Sequence, residues 1–468
     1  MAQVAIEIDP LLDAGATLVR GKAESCFSAA TIDSRAVPAG ALFFAVKGER
    51  FDGHDFAAAA VAAGARGVVV QRGRGAALDF GASGGDVTVV EVDDVVAALG
   101  ALAAAHRAAM TDLKVVAITG SNGKTTTKEM TAAILASAAG VGAVLKTEGN
   151  LNNHLGVPLT LLRLHAGHRY AVVEMGMSGL GEIDYLTKLA RPDVAVVVSI
   201  AGVHLEQLGT IENVARAKAE IFGGLGDGGI AVHPAEEALL APHVASLPRT
   251  MTFGPKRARP TVAYDDVQAG PTGLTMRLHL SGVTSAVGVA AHVPLIGRHN
   301  ASNAAAAACV ALALDVGEGS ILDGLANVRA AKHRGQLVPI AGHTILDDCY
   351  NAAPASMRAA LDALAEITPA GAQKIAVLGD MLELGPDSAK LHADIGAYAA
   401  ARVDHLIAIG ERAKAIAGSC DRAFHTDDPR AAADKVRALW RAGDVVLVKA
   451  SRGMRLERVI DALAEEPA

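Results

Sequence analysis

Lys124 and Thr125 lie near the end of the run Thr119-Gly120-Ser121-Asn122-Gly123-Lys124-Thr125-Thr126, whose residue types and spacing suit the binding of a nucleoside triphosphate. In such a turn, successive backbone N–H groups and a helix N-terminus wrap a phosphate. The lysine brings a point charge to the β and γ oxygens, and the threonine hydroxyl faces Mg²⁺. Gly120, Ser121, Asn122, Gly123, Lys124, Thr125 and Thr126 are therefore the nucleotide-contact candidates. The wider G-x-x-x-x-G-K-[ST] pattern is not met, because residue 118 is Ile. The shorter Thr-Gly-x-x-Gly-Lys-Thr form points away from the common GTPases and motor ATPases. A glycine-rich turn capped by threonine is the plain alternative, and the flanking elements argue against it.

Those flanks are a strand candidate, Lys114 to Ile118, and a helix candidate, Thr125 to Ala139, with Met130, Ile134 and Leu135 at helical spacing. A helical stretch, Val95 to Met110, leads into the strand. Short apolar strands then alternate with helical segments at Tyr170 to Met175, Val194 to Ile200 and Gly229 to Val232, the pattern of a mostly parallel sheet with crossover helices. Thr261 to Pro294 alternates in character and reads as an antiparallel patch appended to that sheet. A second series places strands at Thr344 to Asp348, Lys374 to Asp380, His405 to Gly410 and Asp444 to Lys449. Near the start of the chain, Arg72 to Gly85 is rich in Gly, Ala and Arg and reads as a surface loop. The fold class expected is α/β in three domains: 1–110, a central P-loop domain over 111–329 on a mostly parallel sheet, and a Rossmann-like domain over 330–468.

A P-loop site needs oxygen ligands for Mg²⁺ at neighbouring strand ends. Glu174 ends one strand and is placed for that role, although a lone strand-end Glu is more often a solvated cap. His204 follows the next strand, and Lys218 lies in a helix-compatible run. Alone, the first reads as structural or exposed and the second as a surface lysine.

Composition limits the partners. The 468 residues suffice for about three domains of ~150 residues each. With 43 Lys+Arg against 50 Asp+Glu, the net charge of −7 argues against nucleic acid or an anionic membrane as the main partner. It leaves room for a small anion held by local cations. The four cysteines form no C-x-x-C pair, so neither a zinc knuckle nor a disulfide framework is expected. The N-terminus lacks a basic start with an apolar core, and the longest apolar runs are too short and alanine-rich to span a bilayer. A soluble cytoplasmic protein with no membrane insertion is the expectation.

Taken together, the motifs identify a resemblance to the Mur ligases of peptidoglycan synthesis over nearly the whole chain. Its carriers are Asp33-Ser34-Arg35, Gly40 to Gly48 and Asp52-Gly53-His54-Asp55-Phe56 in the N-terminal part; the P-loop, Gly149 to Thr160, Glu174-Met175-Gly176-Met177, His204-Leu205-Glu206, Ala217-Lys218-Ala219-Glu220 and Gly297 to Asn303 in the centre; and Asp347 to Met357 with Leu378 to Gly385 in the C-terminal part. Within the family the chain is most similar to the member that joins D-alanyl-D-alanine to UDP-N-acetylmuramoyl-tripeptide. The resemblance implies an ATP-dependent amide ligase working through an acyl phosphate, with ATP and two Mg²⁺ ions, and a monomer is expected.

The resemblance also implies roles. Lys124 would contact the ATP phosphates, Thr125 and Glu174 would hold one Mg²⁺, and His204 would help hold the second, assisted by a carbamate on Lys218. Asn303 would meet adenine, Asp348 the ribose and Arg334 the nucleotide phosphates. Ser34 and Arg35, with Asn152 and Asn153, would address the UDP-sugar and its peptide in an N-terminal UDP-sugar-binding domain. His233-Pro234-Ala235 stands where the family usually carries an Asn-Asp pair, so no site is placed there. Asp428-Pro429-Arg430 reads as a helix start. The alternatives are a diamino acid-adding ligase or a folylpolyglutamate synthase, and, in a non-enzymatic class, an ATP-dependent switch protein.

Overall fold

The computed structural model describes residues 4–23, 25–81, 86–281 and 288–465. The last residues of the Arg72 to Gly85 stretch, and 282–287 of the antiparallel patch, lie outside them. Three larger sheets carry the architecture. The N-terminal sheet has five strands in the order Thr17–Arg20, Thr88–Val92, Gly67–Gln71, Leu42–Phe44, Ala30–Thr31. Only the first of these runs antiparallel to its neighbour.

The central sheet has nine strands. From one edge they run Val144–Lys146, Tyr170–Glu174, Lys114–Thr119, Val194–Val197, Ile230–Pro234, Thr250–Pro255 and Val262–Gly270, all parallel. Gly273–Leu280 and Val289–Val293 then extend it antiparallel, the appended patch that the alternation between Thr261 and Pro294 predicts. The strand Lys114–Thr119 lies in the interior of this sheet with Val115 to Thr119 buried, which is why Val115 to Ile118 is continuously apolar rather than alternating. The helices Lys124–Ala139 and Glu318–Asn327 pack closely: a Cβ on Gly324 would lie 2.3 Å from the Ile134 Cα, so glycine is required there. Asn300–Ala313 is apolar on nearly all sides because it is enclosed by the sheet and its neighbours, and its alanines let that packing be close.

The C-terminal sheet has six strands in the order Gln336–Ile340, His343–Asp347, Val445–Lys449, Lys374–Gly379, His405–Ile409, Phe424–Thr426, parallel except for the first. Asp428 caps the helix Pro429–Leu439, its carboxylate accepting from the Arg430 N–H, so the helix-start reading holds. Among the described residues no helix is long and apolar enough to cross a membrane.

Candidate active site

The strand Lys114–Thr119 delivers the phosphate-binding turn to the carboxyl edge of the parallel sheet, where α/β folds place ligands. Its chain neighbours across the sheet lie on opposite sides, Tyr170–Glu174 on one and Val194–Val197 on the other. The turn is fastened to the end of the latter. Ser121 N–H donates to Ser199 O at 2.8 Å, and Ser199 Oγ accepts from Asn122 N–H and donates to Asn122 O, both at 2.9 Å. Ser121 Oγ donates to Ala201 O at 3.0 Å and accepts from Ala201 N–H at 2.8 Å. Gly123, at φ 81°, is the residue before the helix Lys124–Ala139. That left-handed turn suits glycine, and a Cβ there would lie 2.4 Å from Asn303 Oδ1. Lys124 folds its Nζ back onto Gly120 O at 2.8 Å, and its enclosure in the cleft lowers its pKa.

Beside the turn is a buried cluster of oxygen donors. Thr125 Oγ1 donates to Glu174 Oε2 and Asn152 Nδ2 donates to Glu174 Oε1, each at 2.9 Å. Glu174 is 1% exposed, not a solvated strand end. A carboxylate and a hydroxyl in contact, at the mouth of a phosphate-binding turn, fit a hard divalent cation such as Mg²⁺. Lys218 is also not a surface residue. It lies on the helix Ile211–Ala219, is 1% exposed, and its side-chain amine has no hydrogen-bond or ion-pair partner among the described residues. Burial, reinforced by the charge of Lys124, holds its amine well below the ordinary lysine range. A lysine ammonium cannot ligate a metal, so Lys218 fits a metal site only as an anionic derivative.

A cavity of about 300 Å³ opens between the turn and the C-terminal part. Ser121 to Lys124, Thr126 and Asn303 line one side, and Arg334, Asp348, Tyr350 and Lys449 line the other. Asp348 and Lys449 follow and end adjacent parallel strands, and Lys449 Nζ reaches Asp348 Oδ2 at 2.5 Å and Asn351 O at 2.9 Å. The Arg334 guanidinium lies over the Tyr350 ring, 4.0 Å from its centroid. Lys449 and Tyr350 line the cavity although they were not among the motif candidates. The signal for Lys449 was present: a lysine closing the buried all-apolar run Val445–Val448 is 3% exposed and needs a charged partner. Behind the cavity, Cys349 Sγ donates to Asp347 Oδ1 at 3.0 Å and His333 Nδ1 lies 2.7 Å from Asp347 Oδ2.

The remaining expected residues lie elsewhere. His204 stands before the short helix Leu205–Leu208, with Nδ1 2.8 Å from Glu383 Oε2 of the C-terminal part, and this contact holds the Glu383 carboxyl below its usual range. Asn153 Oδ1 accepts from the N–H groups of Leu155 and Gly156, which ties it to the entry of the helix Gly156–Leu161. Ser34 and Arg35 do not line the cavity. Arg35 is exposed and holds its neighbour Asp33 through two bonds, Nε to Oδ1 at 2.8 Å and Nη2 to Oδ2 at 2.7 Å, which lower the Asp33 pKa to about 2.

Comparison with known proteins places these features in a family. Residues 27–107 match the Mur ligase family catalytic domain, 118–311 the Mur ligase middle domain, and 333–452 the Mur ligase glutamate ligase domain. The chain is 39% identical over 451 residues to the UDP-N-acetylmuramoyl-tripeptide--D-alanyl-D-alanine ligase of Escherichia coli, covering 95% of each chain. It is 35% identical to the enzyme of the same name from Bacillus subtilis, covering 93% of each. Among solved structures, MurF from Acinetobacter baumannii superposes with a TM-score of 0.88 at 33% identity, over 99% of this chain and 100% of that one. MurF ligase from Thermotoga maritima in complex with ADP superposes with a TM-score of 0.80 at 30% identity, over 94% and 97%.

Proposed function

The chain belongs to the Mur ligase family, and we propose that it is the ATP-dependent ligase that joins D-alanyl-D-alanine to UDP-N-acetylmuramoyl-tripeptide. The observation that carries this reading is the cavity in which the phosphate-binding turn faces Arg334, Asp348 and Lys449, in a chain similar to such ligases along 95% of its length. The tripeptide carboxylate attacks the γ-phosphate of ATP, giving an acyl phosphate and ADP. The amine of D-alanyl-D-alanine then attacks the acyl carbon, phosphate leaves, a proton is released and an amide remains.

In the first step the protein's task is alignment and charge neutralisation rather than covalent chemistry. The N–H groups of the turn cradle phosphate oxygens. Lys124 moves from Gly120 O to the transferring group, a short reach for a side chain already at the turn. Thr125 and Glu174 would hold one Mg²⁺, and His204 with a carbamate on Lys218 would hold the second; these ions supply charge neutralisation at the phosphates when bound. Asn303 sits beside the turn to meet adenine, and Asp348, freed from or shared with Lys449, meets the ribose. Arg334 faces the phosphates from the C-terminal side. Ser34 and Arg35, with Asn152 and Asn153, would address the UDP-sugar and its peptide, and Asn152 also holds Glu174 through its Nδ2. Because nucleotide ligands come from two parts of the chain, docking of the C-terminal part excludes water from the acyl phosphate.

ADP release by the purified protein tests the reading, with UDP-muramyl-tripeptides and a panel of amino acids and dipeptides as co-substrates. Release that requires both the tripeptide and D-alanyl-D-alanine is the expected result. Release driven by a single amino acid, or independent of any UDP-muramyl peptide, would reject it.

A further inference from the structure

His204 and Glu383 meet across the boundary between the central and C-terminal parts, and both adopt left-handed backbone conformations, at φ 54° and φ 61°. Few non-glycine residues do so, and a glutamate gains nothing locally from it. Each is also held from behind. Glu383 sits in the segment after the strand Lys374–Gly379, where Met381 N–H donates to the buried His392 Nε2 and Leu382 N–H donates to Ser451 Oγ, both at 2.9 Å. Met381 and Leu384 on either side are buried, while Glu383 projects outward with its side chain 56% exposed.

His204 is anchored from two directions. Three residues before it, Ala201 is bonded through both its N–H and its carbonyl to Ser121 of the phosphate-binding turn. After it, Leu208 O accepts from Asn213 Nδ2, tying the segment to the helix that carries Lys218. Gly385 approaches Glu206 at the same boundary, where a Cβ would lie 3.8 Å from the Glu206 Cα. Two anchored segments thus bring one imidazole and one carboxylate together at a fixed place.

This close contact has a chemical consequence. A carboxylate facing Nδ1 favours a proton there, which leaves Nε2 as the ring nitrogen with a free lone pair, and the contact restrains the ring's orientation. We propose that Glu383 is the positioning residue for His204, so that the second Mg²⁺ site is completed only when the C-terminal part docks against the centre. Closure and second-metal binding are then one equilibrium, and the acyl phosphate forms only in a closed site. This inference rests on the ligase reading given above and adds to it a residue and an order of assembly.

The test counts bound Mn²⁺, a paramagnetic probe for Mg²⁺ sites, by electron paramagnetic resonance on the full chain with a saturating non-hydrolysable ATP analogue. Wild type binds two ions. Glu383→Gly accommodates φ 61° without strain, so the fold is retained. It raises the dissociation constant of the weaker Mn²⁺ about 10- to 100-fold while leaving the tighter ion and the nucleotide affinity unchanged. Glu383→Gln, whose amide oxygen still accepts from Nδ1–H, recovers part of the loss. His204→Ala weakens the same ion, and combining it with Glu383→Gly adds little. Two ions bound by Glu383→Gly with wild-type affinity would overturn the role of Glu383 while leaving the ligase reading intact. Failure of wild type to bind any Mn²⁺ with the nucleotide would instead overturn both.

Discussion

Thr125 Oγ1 and Glu174 Oε2 are 2.9 Å apart, with the hydroxyl donating to a carboxylate buried at the end of the neighbouring strand. The second carboxylate oxygen is occupied by Asn152 Nδ2, so the side chain is held in one orientation before any ligand arrives. Pre-orientation of this kind matters most where a metal must meet phosphate oxygens at fixed distances. Glu174→Gln keeps the volume but removes the negative charge, and its amide presents a donor where the cation needs an acceptor. Turnover should fall on the order of 10²-fold, with a higher Mg²⁺ concentration needed for half-maximal rate. ADP release measured across a Mg²⁺ series checks this, and an unchanged Mg²⁺ dependence would remove Glu174 from the metal site.

Gly123→Ala places a Cβ 2.4 Å from Asn303 Oδ1 on a backbone at φ 81°. The strain costs about 1–3 kcal/mol, and the clash displaces a side chain lining the nucleotide cavity. Thermal unfolding with and without ADP separates the two effects. Stability of the free protein should fall modestly, and the rise in midpoint that ADP gives wild type should shrink or vanish.

Much of this arrangement was readable in the chain itself, because the parallel strands are continuous apolar runs and the turn between them has few sequence solutions. The central strands at Lys114, Tyr170 and Val194, and the four C-terminal strands named from sequence, stand where their runs of Val, Ile and Leu place them. The edge strands Val144–Lys146 and Gln336–Ile340 were not legible, since short half-buried strands carry little periodic signal. Burial of Lys218 was hidden for a different reason: helical position alone does not say what a lysine faces, and only the packing of Ile211–Ala219 against the centre decides it. The Lys449 to Asp348 pair joins residues 101 positions apart, which no local pattern reports. Glu383 lies within the family-like stretch Leu378 to Gly385, yet its partner His204 lies far away in sequence, on another part of the chain.

Cys349 should be inert to thiol reagents in the native protein. It is fully buried, and burial, with Asp347 beside it, pushes its thiol far above the ordinary range, so almost no thiolate forms at neutral pH. Cys26 is exposed. Mass-resolved alkylation at neutral pH should modify Cys26 on the order of 10²-fold faster or more, and should reach Cys349 only on unfolding. Equal labelling of the two in the native protein would show that the segment after His343–Asp347 opens readily.

His168 gives the stability a pH dependence of known sign. Its ring stacks on His165 at 3.7 Å and its Nδ1 accepts from the His165 N–H, and burial brings its pKa down to about 4. The unfolded chain, with an ordinary value near ~6.5, therefore binds more protons between those limits. The contribution is intact above pH ~6.5 and is lost progressively as pH falls toward about 4. His168→Asn, which keeps an acceptor for the His165 N–H, should be less acid-sensitive than wild type by about 1–2 kcal/mol, allowing for partial solvent screening. Denaturant unfolding at pH 7 and pH 4.5 checks it, and parallel losses in both proteins would remove His168 from the account.

Lys218 supports the sharpest test of the metal site. Only a neutral amine reacts with CO₂; the new N–C bond gives a carbamate anion and releases one proton. An ordinary lysine near ~10.4 is almost wholly protonated at neutral pH, whereas burial beside Lys124 holds this amine well below that range and leaves it without a partner. Burial thus favours the reactive form, and a divalent cation bound beside it would stabilise the product anion. Lys218→Arg should be inactive although it keeps the positive charge, because a guanidinium cannot become the required carboxylate. Lys218→Ala should also be inactive, and added formate or acetate should restore part of the turnover by occupying the vacated position. Labelling with ¹³CO₂ in the presence of Mg²⁺ and nucleotide should give a protein-bound carbamate resonance in wild type that both variants lack. An active Lys218→Arg enzyme, together with no such resonance in wild type, would show that the second metal is held without a carbamate.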